Sequence, residues 1–235
     1  MSRAVFATVV LLAAVSAARA ADRGYLAGHE VDFHTVLGPP PAEGSLWDQA
    51  DGQLVQAYQS VDEARWRLAE KDAHEDDLYS RFAEAFGKPI DSRTSPVLVA
   101  LLDRALRDVD ATTEAAKKHF HRPRPFQRLQ LQRVCEKPTA PKPEPHAMTG
   151  TSYPSGHSTY GWTVAMILAR VAPDRAETLM GRAEEFEISR LVCGVHFPTD
   201  VEAGHSVAIA VVSHLDASKA FQADLARARQ ERSAH

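Results

Sequence analysis

The sequence has few cysteines, no excess of positive charge and no long apolar run after its first 20 residues. Two cysteines among 235 residues allow one intramolecular disulfide at most. The later apolar runs, such as residues 207–212, are too short to cross a bilayer. The chain also shows no internal repeat, no alternating strand pattern and no hairpin signal. This combination predicts one all-α domain, built as a helical bundle.

The first 20 residues differ in composition from the rest of the chain. A short basic start precedes an apolar run over residues 4–15, and small residues surround a cleavage point at Ala20. These features predict a secretory signal peptide over residues 1–20 and a mature domain over residues 21–235. A membrane anchor is the alternative, but the apolar run is short for a span.

Charge narrows the range of partners. Without Arg3 and Arg19, the predicted mature chain carries 25 basic and 31 acidic residues, a formal net charge of −6. This sign argues against nucleic acid or an anionic membrane as a bulk partner. An anionic small molecule would therefore need a local basic pocket.

Hydrophobic spacing and capping signals predict a series of helices. Ser45 to Asp48 resembles a capping box, Ser95-Pro96 resembles a helix start, and Gly87 and Gly194 resemble helix ends. The predicted helices cover residues 45–58, 61–73, 76–86, 95–120, 155–171, 175–192, 198–212 and 218–229. Residues 126–150 contain four further prolines and predict a long loop, either functional or mobile.

Three separated motifs place cations or hydrogen-bond donors at predicted helix ends. They are Lys117-x6-Arg124-Pro125, Pro154-Ser155-Gly156-His157, and Ser189-Arg190-x5-His196-x3-Asp200. Arginine pairs two oxygens through its planar fork, which suits phosphate. If the three motifs converge, they would bind a tetrahedral dianion.

The second motif stands at the start of a predicted helix. Ser155 can cap that helix, and Gly156 lets the backbone approach a ligand closely. A helix N-terminus suits an oxyanion, and His157 beside it can transfer a proton near neutral pH. Taken alone, the motif favours a capped helix with a solvated histidine, and only the flanking motifs favour an oxyanion site.

The third motif separates a histidine from a carboxylate by three residues, one of which is a proline. Pro198 puts His196 on a loop and Asp200 in the first turn of the next helix. Asp200 can then accept a hydrogen bond from one imidazole nitrogen and leave the other as a nucleophile. A buried histidine paired with Asp200 for structural reasons is the alternative.

The other candidates have plain structural alternatives too. Lys117 and Arg190 could be solvated surface cations. His119 and His121 show a His-x-His spacing, but no neighbouring acid or cysteine completes a metal site, so neither a metal nor another cofactor is expected. Cys135 and Cys193 favour one disulfide in an exported chain, with two unrelated buried thiols as the alternative.

The three motifs together resemble the phosphatase signature of the type 2 phosphatidic acid phosphatase superfamily, which vanadium haloperoxidases largely share. Within it, the chain most resembles the bacterial class A nonspecific acid phosphatases. The likeness extends to the proline run near residue 40, to the sequence Arg122-x-Arg124-Pro125 and to the two cysteines. Thr151 and Ser158 depart from the glycine and threonine that are common in the family, and could tune substrate preference.

The resemblance implies a metal-independent periplasmic phosphomonoesterase, all-helical and usually homo-oligomeric, that takes small phosphomonoesters and does not insert into the membrane. His196 would form a phosphohistidine, Asp200 would orient it, and His157 would protonate the leaving group. The phosphate would be held by Lys117, Arg124, Ser155, Gly156 and Arg190.

Three other functions compete with the phosphatase. A vanadium-dependent haloperoxidase would use the same oxyanion pocket. A lipid phosphatase would be expected to contain several membrane spans, and a phosphate-binding protein would be expected to alternate strands and helices.

Overall fold

A computed structural model describes residues 23–135 and 151–234, and these residues are helical with no strand. The predicted all-α class is thereby confirmed. The predicted signal peptide and residues 136–150 of the predicted loop lie outside the described residues. No helix in the described part of the chain is both long and apolar enough to span a bilayer.

Nine α-helices follow one another in the described residues. They are α1 (Leu46–Tyr58), α2 (Glu63–Asp72), α3 (Ala83–Phe86), α4 (Pro96–His119), α5 (Pro125–Arg128), α6 (Gly156–Val171), α7 (Ala176–Val192), α8 (Pro198–Asp216) and α9 (Lys219–Ala234). Short 3₁₀ helices cover Phe33–Thr35, Glu75–Phe82 and Pro173–Arg175.

Most predicted boundaries agree with these helices, and three differ: the segment over residues 76–86, the end of α8, which reaches Asp216 instead of residue 212, and the end of α9. The segment predicted as one helix over residues 76–86 is a 3₁₀ helix followed by the single turn of α3, which ends at Gly87 with φ +84°. The last helix runs five residues beyond its predicted end. Contacts with distant residues hold this end, because Glu231 accepts from the Val97 and Leu98 amides and Arg232 pairs with Asp174.

Two capping predictions need correction. The Ser95 hydroxyl does not cap α4, because it donates instead to the Pro89 carbonyl. The carboxylate of Glu231, from the distant helix α9, accepts from the first amides of α4 at 2.9 and 3.0 Å. Ser45 caps α1 as predicted, but the Asp48 carboxylate reaches back to the Gly44 amide.

The core is organised around α6, which packs along α7 and α8 and also contacts α4 and α9. Most of the residues of α6 are buried. Its Gly161 allows the Phe186 ring of α7 to approach, since a Cβ there would come within 3.1 Å of that ring's Cε1. The central position of α6 brings its N-terminus close to the C-terminal ends of α4 and α7.

One disulfide joins the segment after α5 to the end of α7. Cys135 and Cys193 are bridged, with their Cα atoms 4.8 Å apart and a sequence separation of 58. The structure therefore has the bridge that the sequence favoured over two separate thiols.

Candidate active site

The three motifs meet at the N-terminus of α6. Lys117 lies in the last turn of α4, Arg124 directly before α5, and Arg190 in the last turn of α7. His196 lies on the α7–α8 loop and Asp200 in the first turn of α8, as predicted.

The start of α6 is fixed by hydrogen bonds on both sides. The Ser155 hydroxyl accepts from the Ser158 amide at 3.3 Å, which is the predicted N-cap. The Ser155 amide donates to the Asp200 carbonyl at 2.9 Å. The position of a Cβ on Gly156 would be 3.8 Å from Lys117 Cε, so the lysine side chain passes beside the first turn of α6.

Gly204 brings α8 against this same turn. A Cβ on Gly204 would lie inside van der Waals contact of the Ser155 carbonyl oxygen, and 3.0 Å from the Ser158 Cβ. Ser158 is fully buried, and its hydroxyl lies 2.7 Å from the Val201 carbonyl and 2.8 Å from Glu187. The departure at Ser158 therefore affects the packing of α6 against α7 and α8.

His196 is buried and surrounded by cations. Its side chain is shielded from solvent, and burial lowers the pKa of the imidazole well below its ordinary value. The positive charges of Arg124, Lys117 and Arg190 lower this pKa further, with a smaller contribution from His157. The His196 ring is therefore neutral even in acid.

The contacts of His196 define its tautomer. Arg124 Nη1 lies 3.0 Å from His196 Nε2 and also donates to the Val195 carbonyl at 2.9 Å. A guanidinium can only donate, so Nε2 is the acceptor and the ring proton resides on Nδ1. His196 Nδ1 faces Asp200 Oδ2 at 3.7 Å, which is longer than a hydrogen bond, and it has no hydrogen bond to any other residue that the structure describes.

Asp200 is fully buried and receives donors on both oxygens. Oδ2 accepts from the Phe197 amide at 2.7 Å and from the Ser152 hydroxyl. Oδ1 accepts from Arg122 Nη1 at 2.7 Å. Its orientation is thus determined by neighbours other than His196.

Arg122 was not among the residues predicted for the site. It lies behind Asp200, with its guanidinium carbon 4.2 Å from the centre of the Phe197 ring. Its second nitrogen, Nη2, contacts Asp51 at 2.7 Å and Asp48 at 3.4 Å. Arg122 stands in the Arg122-x-Arg124-Pro125 sequence, and Asp48 and Asp51 stand three residues apart in α1, but nothing in their local spacing indicates that they meet.

His157 lies at the first turn of α6 and is 7% exposed. Its ring stacks on Phe186, with centroids 5.9 Å apart, and its Nε2 lies 3.2 Å from the Ala73 carbonyl. Since a carbonyl only accepts, Nε2 carries a proton, and a proton that His157 passes to another group must move through Nδ1.

The residue before Arg190 is held by a separate buried network. The Ser189 hydroxyl donates to Asp72 at 2.8 Å and accepts from Arg65 at 3.1 Å. Arg182 also binds the Asp72 carboxylate, with one hydrogen bond at 3.2 Å. These bonds fix the last turn of α7 and hence the backbone of Arg190.

A metal site was considered for His119 and His121, and both side chains are exposed. Among residues 23–135 and 151–234, no group of three or more His, Cys, Asp or Glu residues is placed to hold a metal ion.

Comparison with known proteins places the chain in a family. Residues 97–219, more than half of the chain, match the PAP2 superfamily. The chain therefore belongs to the PAP2 superfamily, as its motifs predicted.

Particular relatives share most of its length. It is 37% identical to an acid phosphatase of Zymomonas mobilis over 206 residues, covering 85% of this chain and 76% of the relative. It is 30% identical to a non-specific acid phosphatase of Providencia stuartii over 205 residues, covering 86% and 81%. It is 32% identical to a non-specific acid phosphatase of Salmonella typhimurium over 205 residues, covering 86% of this chain and 80% of the relative. The predicted resemblance to nonspecific acid phosphatases is confirmed.

Proposed function

We propose that this protein is a periplasmic acid phosphatase that hydrolyses a broad range of phosphomonoesters through a phosphohistidine on His196. The names of its relatives agree with the predicted enzyme class, a phosphoric monoester hydrolase. The observation that carries the mechanism is a buried, neutral histidine with its basic nitrogen beside an arginine.

The phosphate seat in this proposal is formed by Lys117, Arg124, Ser155, Gly156 and Arg190. The two arginines are buried and offer rigid donors, and the start of α6 offers backbone N–H groups. Donors fixed before the reaction stabilise the charge on the equatorial oxygens without reorganising.

The first chemical step is attack by His196 Nε2 on phosphorus. A bound phosphate takes over the Arg124 donor, so the Nε2 lone pair can form the N–P bond. The P–O ester bond breaks, and His157 gives its Nδ1 proton to the departing alkoxide. The Asp200 carboxylate, 3.7 Å from Nδ1, offsets the positive charge that then forms on the His196 ring.

The second step restores the enzyme. Water attacks the phosphohistidine, and the neutral His157 now takes the proton that water loses. The N–P bond breaks, and inorganic phosphate leaves with the imidazole again neutral. None of these steps needs a metal ion or other cofactor.

This division of labour predicts activity in acid. His157 must start protonated, and His196 must start neutral. Because the pKa of His196 is well below its ordinary value, it meets that condition at acid pH. A pH optimum of activity at about 9 would contradict the assignment of His157 as the general acid.

Export, oligomerisation and breadth of substrate remain part of the proposal. The predicted signal peptide over residues 1–20 supports export to the periplasm, and the resemblance to class A enzymes supports a homo-oligomer. Breadth of substrate follows if the seat contacts mainly the phosphoryl group, which nucleotides, sugar phosphates and aryl phosphates share.

The test is hydrolysis of p-nitrophenyl phosphate by the mature chain with EDTA, with and without orthovanadate. We expect turnover in acid, unaffected by EDTA and inhibited by vanadate. Radiolabelled substrate should leave a label on the protein that is labile to acid and stable to alkali, and His196→Ala is the matched control without label. Absence of turnover, with bromide oxidation on adding vanadate and peroxide, would instead establish a haloperoxidase.

A further inference from the structure

Arg122 lies between the carboxylate of the proposed catalytic pair and two carboxylates of α1. It is 5% exposed, and its two terminal nitrogens serve opposite sides. Nη1 donates to Asp200 Oδ1 at 2.7 Å and to the Thr199 hydroxyl at 2.8 Å, whereas Nη2 donates to Asp51. One guanidinium therefore joins the start of α8 to α1.

This contact determines which way the Asp200 carboxylate faces. Oδ1 is held by Arg122, so Oδ2 is the oxygen left to point at the Phe197 amide and at His196 Nδ1. Stacking on the Phe197 ring, one residue after His196, fixes the guanidinium from a second direction. Rotation of this carboxylate would require Arg122 to move as well.

We propose that Arg122 is a positioning residue for phosphoryl transfer, which acts through Asp200 on His196. The inference rests on the proposed function and deepens it. Arg122 does not touch the reacting atoms in this scheme, and it is distinct from Lys117, Arg124 and Arg190, which hold the phosphate. Its absence should slow the chemical step and leave phosphate binding nearly intact.

A purely structural role is the competing explanation. Arg122 neutralises Asp51 and lies near Asp48, which also binds Arg128 at 2.7 Å through both oxygens. Removing one partner of a buried ion pair is strongly destabilising, whatever its effect on catalysis. A test must therefore separate loss of folding from loss of Asp200 orientation.

Four variants of the mature enzyme distinguish loss of folding from loss of Asp200 orientation. They are Arg122→Gln, Arg122→Lys, Asp51→Asn, and the double variant Arg122→Gln/Asp51→Asn. The double variant keeps the net charge of the buried cluster equal to that of the wild type. Asp51→Asn alone weakens the far end of the Arg122 fork and the contacts of Asp51 with Thr199, whereas no hydrogen bond joins Asp51 to Asp200. For each variant, kcat, KM, the inhibition constant of orthophosphate, the rate of phosphoenzyme formation and Tm are measured.

We expect Arg122→Gln to lower kcat and the rate of phosphoenzyme formation about 100-fold, with KM and orthophosphate inhibition changed by less than about threefold. Arg122→Lys should recover part of kcat, because it restores one charged donor. The double variant should recover Tm but not kcat. If Arg122→Gln does not fold, the Arg122→Lys variant and the double variant still distinguish a positioning role of Arg122 from a purely structural one.

Two results would overturn the inference. One is a double variant that regains kcat together with Tm, which would make Arg122 a structural counter-ion. The other is a rise in KM and in the orthophosphate inhibition constant at unchanged kcat, which would place Arg122 in phosphate binding. Failure of the proposed function looks different, because the wild type itself would then form no phosphoenzyme.

Discussion

His196 has two sides that differ in their electrostatics. Its Nε2 faces a cationic side formed by Lys117, Arg124 and Arg190, where like charges converge and lower the pKa of the ring. Its Nδ1 faces a carboxylate side formed by Asp200, Arg122, Asp51 and Asp48, where opposite charges alternate.

The difference assigns separate tasks to the two sides. In the proposed function the cationic side binds phosphate, because an anion lowers the cost of bringing cations together and donors already in place stabilise its charge. The carboxylate side satisfies its own charges within the chain and is built to hold geometry. Changes on the cationic side should alter binding and pH dependence, whereas changes on the carboxylate side should alter turnover and stability.

Removal of the ring between the two sides should have the largest effect. His196→Ala is expected to lower kcat by roughly 10³-fold or more, because no other group can accept the phosphoryl group. Some orthophosphate affinity should persist, since the cations remain in place. Near wild-type turnover in a steady-state assay, with Tm as the check on folding, would remove His196 from the role of nucleophile.

Arg124→Met tests the cationic side alone. Loss of one donor to the developing charge should lower kcat/KM roughly 10²- to 10³-fold. The pKa of His196 should rise, because the Arg124 charge depresses it and would be absent. The acid limb of the kcat/KM profile should then move to higher pH, since His196 must be neutral to attack.

The matched control for that shift is Arg128→Met, on the carboxylate side. Arg128 binds Asp48 and is not among the charges that lower the pKa of His196. Its removal should leave the acid limb where it is in the wild type. An equal shift in both variants would mean that general field effects, and not the adjacent guanidinium, set the pKa.

Sequence patterns could predict the cationic side more readily than the carboxylate side. Lys117, Arg124 and Arg190 occur in compact motifs, each beside a helix end that a proline or a glycine marks. The partners of Asp200 are spread over the chain, since Asp51 lies 71 residues before Arg122 and 149 before Asp200. Only tertiary packing brings α1 to this place, so local spacing carried no signal of the network.

The same reasoning explains the errors at helix ends. A serine before a proline predicted a local cap for α4, but the carboxylate of Glu231 provides it from more than 130 residues away. The length of α9 likewise depends on distant partners, since Glu231 binds the start of α4 and Arg232 binds Asp174. Helix existence followed from local periodicity, whereas these terminal contacts depended on the assembled fold.

Gly204→Ala tests whether close packing of α8 on the start of α6 is needed to hold the cationic side and the carboxylate side of His196 in their relative positions. The new methyl group would overlap the Ser155 carbonyl, so α8 or the start of α6 must shift. We expect a loss of about 1–3 kcal/mol in unfolding free energy and a fall in kcat of about 10-fold or more. Gly181→Ala is the control: no atom other than its own helix and neighbours lies within 4 Å of the new Cβ, so kcat should not change.

Loss of the disulfide should have the smallest effect on turnover and a clear effect on stability. Closing a 58-residue separation is worth about 4 kcal/mol in the chain-entropy account, so Cys135→Ala/Cys193→Ala should lower Tm. The hydrogen bonds that hold His196 and Asp200 come from Arg124, Arg122, Ser152 and Phe197, and none involves a sulfur. The kcat per folded molecule, measured below the lowered Tm, should therefore stay within about threefold of the wild type. A larger fall would mean that the bridge, which ends three residues before His196, helps to place the nucleophile between its two sides.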